Sequence, residues 1–399
     1  MSWPKPIIIS EDKLKTPNLK RWFIVLMAIL VISALLIFLL KPKQSTSEEI
    51  ISYLAILIVE IVIWALLFSW RMYSHGLEVD RFESWEQEKQ LIDLRWNNWA
   101  SRHLVVLSSH TMMPEGKSAK AFLAQSQDMA VNSHQAIALE FYQDERLGNR
   151  QQQAISEMLF AQFSALSALP VDRKIKVEIF NANNVFNPVK DDFQAAWKQL
   201  GIPHKTEVEV RRAADLSAIE HWIDNPDSQI KLLIILQLED LHSNTAFTAS
   251  EFACAFLLAS EQQVEALELT PRAQVLRPML SDSDSAHDDL KQMHEVQREM
   301  ETTHHLWLTG FQGKSESNIV ACLSELKLDL RHEQEKSGTY YIDLYHGLPG
   351  KLNGWLGLSL AVAAVQQTGE TQLAASNINN QIAFNLIQPI QDKQQKEQA

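Results

Sequence analysis

Two unbroken apolar runs stand at the head of the chain, and a long alternation of shorter apolar segments follows them. Residues 22–40 (WFIVLMAILVISALLIFLL) carry no charge, and residues 50–70 (IISYLAILIVEIVIWALLFSW) carry one, Glu60. Wound as a helix, either run is long enough to cross roughly 30 Å of hydrocarbon. Lipid offers the backbone no hydrogen-bond partner, so such a run must be helical. Residues 41–49 between them are too few for a domain. The pattern predicts a two-helix transmembrane hairpin over residues 22–70. A cleaved signal peptide is the competing reading of the first run. No small-residue cleavage site follows it, however, and a second full-length run does.

After the hairpin, apolar positions at Phe82, Trp85, Leu91, Leu94, Trp96 and Trp99 recur at nearly helical spacing and predict a helix over 77–100. Residues 103–108 read as a short strand. From residue 136 strands and helices alternate. Strands are expected at 136–142 and 175–180, and helices at 150–169, 188–200 and 214–223. Residues 229–238 (QIKLLIILQL) are apolar on both faces, as parallel strands are. Two further strands are expected at 250–260 and 272–280. Residues 281–300 are acidic, then helical, and the alternation restarts after them. It runs strand 304–308, helix 316–326, strand 340–344, helix 351–366, and strands 372–376 and 381–389. The expected organisation is an N-terminal segment (1–21), the hairpin (22–70), a juxtamembrane helical region (71–133), a first α/β half (134–280), an acidic and helical linker (281–303), a second α/β half (304–389) and a disordered tail (390–399).

Charge orients the hairpin. Lys5, Lys13, Lys15, Lys20 and Arg21 precede the first run, and Arg71 follows the second. The loop holds Lys41 and Lys43, offset by Glu48 and Glu49. The more basic flank stays inside, and two crossings return the chain to the side it left. The N-terminus and the C-terminal body are therefore both expected in the cytoplasm, on a bacterial inner membrane. The chain as a whole carries a net charge of −13, and the body has no basic stripe, which argues against nucleic acid as a partner.

The two cysteines, Cys254 and Cys322, sit among apolar neighbours without metal-ligand spacing and read as buried thiols. Residues 310–315, GFQGKS, lie between an expected strand and helix, as a phosphate loop would. A Walker loop needs a first glycine where this chain has Leu308, so an ordinary strand–turn–helix is the better reading of Lys314 and its neighbours. His304 and His305 fall on opposite faces of a strand, which argues against a shared metal. Asp282, Asp284, Asp288 and Asp289 lack the spaced ligands and glycine of a calcium loop. Glu60 is the costly residue. A charge at mid-bilayer is expensive and marks contact with another membrane helix, a tolerated neutral acid, or an ion path. Contact with another helix is the preferred role.

The doubled plan resembles the thiolase-like fold of ketoacyl synthases, most closely over residues 346–389 (HGLPGKLNGWLGLSLAVAAVQQTGETQLAASNINNQIAFNLIQP), where a turn, a small-residue helix and two strands close the chain. The resemblance implies a doubled α/β body with a nucleophilic cysteine at a first-half elbow and two polar partners, usually histidines, in the second half. The cysteine available in the first half is Cys254, inside an apolar run without a glycine-flanked elbow. After the strand at 304–308 the chain reads Thr309-Gly310-Phe311-Gln312-Gly313, with no histidine. His346 can match the other. One position of three does not make a nucleophile with its base. In layout, a membrane-tethered body of this kind also resembles the accessory proteins encoded with phospholipase effectors of type VI secretion, which implies a non-catalytic partner that holds or loads an effector.

The reading is a membrane-anchored α/β protein that binds another protein, with the lipid bilayer as its second partner. No catalytic residue, cofactor or metal ligand is assigned, and the oligomeric state is left open. The alternative is an acyl-transfer or nucleotide-dependent enzyme with degenerate motifs.

Overall fold

Helices α1 (Leu19–Leu40) and α2 (Ser47–Ala100) carry the apolar head of the chain. In the computed structural model the described residues are 3–4, 6, 16–40, 47–125, 129–139, 147–182, 187–212, 216–226, 229–239, 248–311, 313–328, 330, 337–378 and 380–390. They form two units, Lys5–Trp96 and a body made of Met1–Pro4 with Asn97–Ala399.

In the first unit both helices are long and apolar enough to cross a membrane. They touch through a few specific contacts. Ser33 Oγ donates to Glu60 Oε1 at 2.6 Å, and the Trp64 indole donates to the Trp22 carbonyl at 3.2 Å. Trp64 also stacks on Phe68, which meets Trp22 edge-on. The remaining apolar side chains point outward, with Phe38 77% and Trp70 71% exposed. The second apolar run and the helix expected at 77–100 are one unbroken helix of 54 residues, roughly 80 Å long at 1.5 Å per residue. Nothing in the sequence between them, neither proline nor a capping pair, stops the winding.

Among the described residues the body is built on eleven strands. They are β1 (His103–Met112), β2 (Ile175–Asn181), β3 (Thr206–Arg212), β4 (Ile230–Gln237), β5 (Phe252–Ala259), β6 (Ala273–Leu276), β7 (Met279–Asp282), β8 (His305–Thr309), β9 (Thr339–Tyr341), β10 (Gln372–Ile378) and β11 (Gln381–Gln388). Between them lie α3 (Ala119–Ala124), α4 (Leu147–Ser167), α5 (Asn187–Gln199), α6 (Ser217–Asp224), α7 (Glu261–Ala266), α8 (Ala286–Val296), α9 (Lys314–Glu325), α10 (Ile342–His346) and α11 (Asn353–Thr368).

Strand order is β3-β2-β4-β5-β1-β6-β11-β10-β8-β9, with β7 paired to β11 outside this path. The order is a palindrome. In the first half β2 runs parallel to β3 and β4, and β4 antiparallel to β5. In the second β8 runs parallel to β9 and β10, and β10 antiparallel to β11. β1 and β6 join the halves. The expected doubled plan is therefore present as one topology used twice, with α6 and α11 as the helices that precede β4 and β10.

Hydrophobic pattern explains the layers. β4 and β5 are buried along their whole length. α11 is buried from Asn353 to Val362 and again at Ala364 and Val365, as expected of a helix apolar all round. Its Trp355 shares one core with Phe180, Trp222 and Phe256 of the first half and with Trp307 and Ala374 of the second. Trp355 lies 5.5 Å from Phe180 and 6.0 Å from Trp222, centroid to centroid. A second core on the other face of the first-half strands holds Ile155 and Met158 of α4 and Phe193 and Trp197 of α5.

Several expectations need correcting. Residues 136–139 are not a strand. Their backbone is held by one neighbouring dipeptide: Ile137 N donates to Ser250 Oγ, Leu139 N to Glu251 Oε2, and Ile137 O accepts from Glu251 N. Residues 140–142 lie outside the described residues, as does most of the expected tail, 391–399. β3 was not expected. TEVEVRR alternates charged and apolar residues, the mark of an edge strand with one wet face. The segment at 340–344 splits into β9 and the short helix α10. The region expected to be juxtamembrane, 71–133, contributes β1 to the centre of the sheet.

Residue Trp3 belongs to the body. Its indole donates to the Pro278 carbonyl at 2.9 Å, its ring meets Trp99 edge-on, and it is 4% exposed. Arg277 stacks over the other partner, 3.9 Å from the Trp99 ring, and donates to its carbonyl.

Because Trp355 fills the core shared by both halves, Trp355→Ala should cost about 3–5 kcal/mol. Val208→Ala on the edge strand should cost under about 1.5 kcal/mol. Urea denaturation of the detergent-solubilised chain, followed by tryptophan fluorescence, measures both; equal losses would mean the two halves do not share a core.

Candidate functional site

Polar residues gather at the carboxyl ends of the parallel strands. Ala182 after β2, Gln237 at the end of β4, Gly310 after β8 and Asn377 near the end of β10 line one cavity of about 450 Å3. Thus the ends of both halves meet at one place. Lys351 and Glu239 are its charged lining residues.

A buried chain of hydrogen bonds runs beside this cavity. Gln237 Nε2 donates to the Ser250 carbonyl at 2.7 Å and to Asn353 Oδ1 at 3.0 Å, and Gln237 Oε1 accepts from Leu352 N at 3.0 Å. Asn353 Oδ1 also accepts from Gly350 N at 2.9 Å, and its Nδ2 donates to Thr309 Oγ1 at 3.2 Å. Thr309 in turn donates to Asp343 Oδ1 at 2.6 Å, and Gly310 N donates to Asp343 Oδ2 at 2.6 Å. The chain crosses from the first half to the second and ends on a carboxylate. Local backbone makes room for it. A Cβ on Gly310 would sit 2.0 Å from the Asn377 carbonyl, and its φ of +76° already favours glycine.

Asp343 faces a second cavity of about 310 Å3, lined by Leu308, Phe311, Tyr341, Leu348, Pro349 and Glu316, among others. Burial, opposed by the hydrogen bonds from Thr309, Gly310 and Asn353, pushes the Asp343 carboxyl up to about 6. His346, three residues on, is 1% exposed, and neither of its ring nitrogens has a hydrogen-bond partner among the described residues. Burial, with the nearby Lys117 ammonium, pushes it down to about 3. It is a neutral ring packed edge-on to Phe252.

The positions named from sequence fall as follows. Cys254 lies mid-strand in β5, 0% exposed, and burial raises its thiol far above the ordinary value. Cys322 is buried in α9 and pushed up to about 11 by burial and by Glu325 and Asp288. A thiolate is the reactive form, and neither site favours it. The 310–315 turn does join β8 to α9, with Gly313 at the helix N-cap. Gln312 and the side chains of Lys314 and Ser315 lie outside the described residues. The amide of Gly310, which a phosphate would need, is already spent on the Asp343 carboxylate. His305 bonds Tyr340 and Glu370. Asp289 accepts from Ser281 and Ser285. Among the described residues no group of three His, Cys, Asp or Glu is placed to hold a metal. Glu60 accepts from Ser33, and its Oε2 has no partner among the described residues.

No family model and no curated protein matches the chain. Solved structures do. A ketosynthase from module 6 of the bacillaene synthase of Bacillus subtilis 168 superposes with a TM-score of 0.50 at 9% identity, over 73% of this chain and 71% of that one. The body has a thiolase-like α/β fold. An oxazolomycin ketosynthase domain from Streptomyces albus (TM-score 0.49, 10% identity, 72% of this chain and 96% of that one) is also similar. So is the peroxisomal 3-ketoacyl-CoA thiolase of Saccharomyces cerevisiae (0.47, 11%, 72% and 98%), described as two core domains of identical topology. At these identities the likeness concerns the fold alone.

Within this thiolase-like body, Gln237, Asn353, Thr309 and Asp343 were missed from sequence. Each is a polar residue set in or beside an apolar run, which is the one local sign they leave. His346 was noticed, but as a possible base; its surroundings hold it neutral and unpartnered.

The two shifted groups oppose each other in stability. For His346 the unfolded chain binds the proton more tightly, so stability is lost as pH falls below about 6.5. For Asp343 the folded chain binds it more tightly, so stability is gained as pH falls from about 6 towards 4. Each slope is about 1.4 kcal/mol per pH unit, with opposite signs. Asp343→Asn should therefore make stability fall more steeply from pH 6 to 4 than in the wild type. His346→Leu should move the profile the other way, with less stability lost from pH 6 to 4 than in the wild type. Urea titrations at pH 4, 5, 6 and 7 measure both; parallel profiles for all three proteins would refute the assignment.

Proposed function

We propose that the chain is a membrane-anchored accessory protein whose thiolase-like body binds a protein partner and performs no acyl transfer. The observation that carries this reading is the state of the thiols. Acyl transfer on a thiolase-like fold needs a reactive sulfur, and both sulfurs here are buried and held protonated. Cys254 lies in β5, between β4 and β1, and its Sγ is sealed on the sheet face against the Trp355 carbonyl of α11, with no exposure to solvent. A nucleotide-dependent alternative meets the acidic surroundings of Gly310, where Asp343 and Glu316 repel a phosphate. The layout resemblance to accessory proteins of type VI secretion phospholipase effectors names one class of partner, a secreted effector.

The anchor is α1 with the first part of α2, on a bacterial inner membrane, with both the N-terminus and the body in the cytoplasm. Basic residues before α1 support the orientation. The packing of Trp3 in the body supports the parity, since the residues before α1 and those after α2 then lie on one side. Glu60 keeps one oxygen for Ser33 and offers the other to a neighbouring membrane helix.

Reporter fusions after Ser47 and after residue 399 should read outside and inside respectively. A periplasmic signal from the second would sink the orientation. Affinity purification of the chain from its membranes should return a second protein in near-stoichiometric amount, and the Cys254→Ala, Cys322→Ala double variant should return the same protein. Recovery of the chain alone, or loss of the partner from a correctly folded double variant, would overturn the reading.

A further inference from the structure

The 310 Å3 cavity beside Asp343 has an apolar wall and an acidic floor. Leu308, Phe311, Leu348 and Pro349 line it, with Tyr341 and Leu344 towards solvent. Its lining carboxylates are Asp343 and Glu316, and its other titratable lining residues are Tyr341 and His134. Among the described residues no lysine or arginine lines it. The acids are close enough that Glu316 raises both Asp343 and Tyr341.

Asp343 also has acceptor capacity to spare. Its two oxygens take three hydrogen bonds from the protein side, from Thr309, Gly310 N and Asn353. An ionised carboxylate offers about four acceptor sites. The rim is built rather than adaptable. His134 and Gly347 hold φ of +65° and +97°. A Cβ on Gly347 would sit 2.1 Å from the Gln135 carbonyl. In size the cavity stands at the low end of the roughly 300–1,000 Å3 typical of ligand sites. It suits one long side chain with a neighbour and is too small for a dinucleotide.

We propose that this cavity receives an arginine or lysine side chain, flanked by an apolar residue, from an extended segment of the partner protein. The aliphatic stem lies along Phe311 and Leu348, and the cationic head meets Asp343 and Glu316. A guanidinium suits the pair best, because its fork of donors can engage a carboxylate with two bonds. The inference rests on the partner-binding reading above and adds to it the chemistry of the segment that is recognised.

The test uses the full chain in nanodiscs of zwitterionic phosphatidylcholine and two peptides carrying a neutral fluorophore. One is acetyl-Leu-Arg-Leu-amide; the other has citrulline in place of arginine, keeping shape and losing charge. Fluorescence anisotropy should show saturable binding of the arginine peptide, at least about tenfold tighter than the citrulline peptide. Asp343→Asn and Glu316→Gln should each weaken it by about fivefold or more. Glu316 lies outside the buried hydrogen-bond chain, so its variant decides the matter if Asp343→Asn alters the fold. No binding of the arginine peptide, equal binding of both peptides, or undiminished binding by a folded Glu316→Gln variant would each overturn the proposal. Failure here leaves a co-purified partner unexplained but present, whereas failure of the partner reading is seen as the absence of any co-purified protein.

Discussion

A helix buried on every side must have its ends satisfied from within the protein, and α11 is such a helix. The residues of its first turn are buried, and the amides that lead into it are met by protein acceptors. Asn353 Oδ1 takes Gly350 N, and Gln237 Oε1 takes Leu352 N. Gln237 comes from the other half of the body, so the helix start of one half is completed by a strand end of the other. Leaving any of these buried amides unpaired costs about 1–3 kcal/mol. The far end closes without help from outside, through Gly369 in the left-handed region and its bond to the Val365 carbonyl. The Gln237–Asn353 hydrogen bond thus ties the two halves together at the helix start. The four strand ends converge on one cavity beside it.

How much of this is legible in the sequence depends on whether a residue's role is local. β4, β5 and α11 are plain, because IKLLIILQ, FACAFLLA and NGWLGLSLAVAAVQQT are apolar on all sides and only complete burial suits them. β3 is hidden because a charged edge strand and a polar loop share a composition. The missing strand at 136–139 shows the converse. AIAL has strand-like residues, but side-chain acceptors at Ser250 and Glu251 took its amides before a neighbouring strand could. The doubled plan could be read from element order, while its palindromic pairing could not, since pairing partners are distant in sequence. The hydrogen-bond chain joins residues 237, 353, 309 and 343, which no spacing rule brings together.

The thiolase-like fold and the chemistry of a thiol site separate cleanly here. A thiol becomes nucleophilic when its surroundings favour the anion, through a helix N-terminus, a cation or solvent. Cys254 has a strand on either side of it and its Sγ faces the Trp355 carbonyl at 4.0 Å, a setting that favours the neutral form. His346 shows the same preference for neutrality. Near the strand ends, burial pushes the Asp343 carboxyl up to about 6. The strand ends thus present a partly buried acid beside an apolar cavity, a combination that suits the cation recognition proposed above. One fold can carry unrelated functions, so the thiolase-like architecture does not by itself assign an activity.

The N-terminal tryptophan bears on how the anchor is arranged. Trp3 lies in the core of the body with Trp99 and Pro278, while α1 and most of α2 separate it from that body along the chain. One crossing of a membrane would put Trp3 and Trp99 on opposite sides and break this contact. No crossing at all would leave side chains such as Phe38 and Trp70 in water, together with most of two helices of the same character, a far larger apolar surface than soluble proteins expose. The two-crossing anchor proposed above would keep the Trp3 contact and cover the apolar surface with lipid. In that arrangement the Ser33–Glu60 hydrogen bond would give the costly carboxylate its donor inside the hydrocarbon.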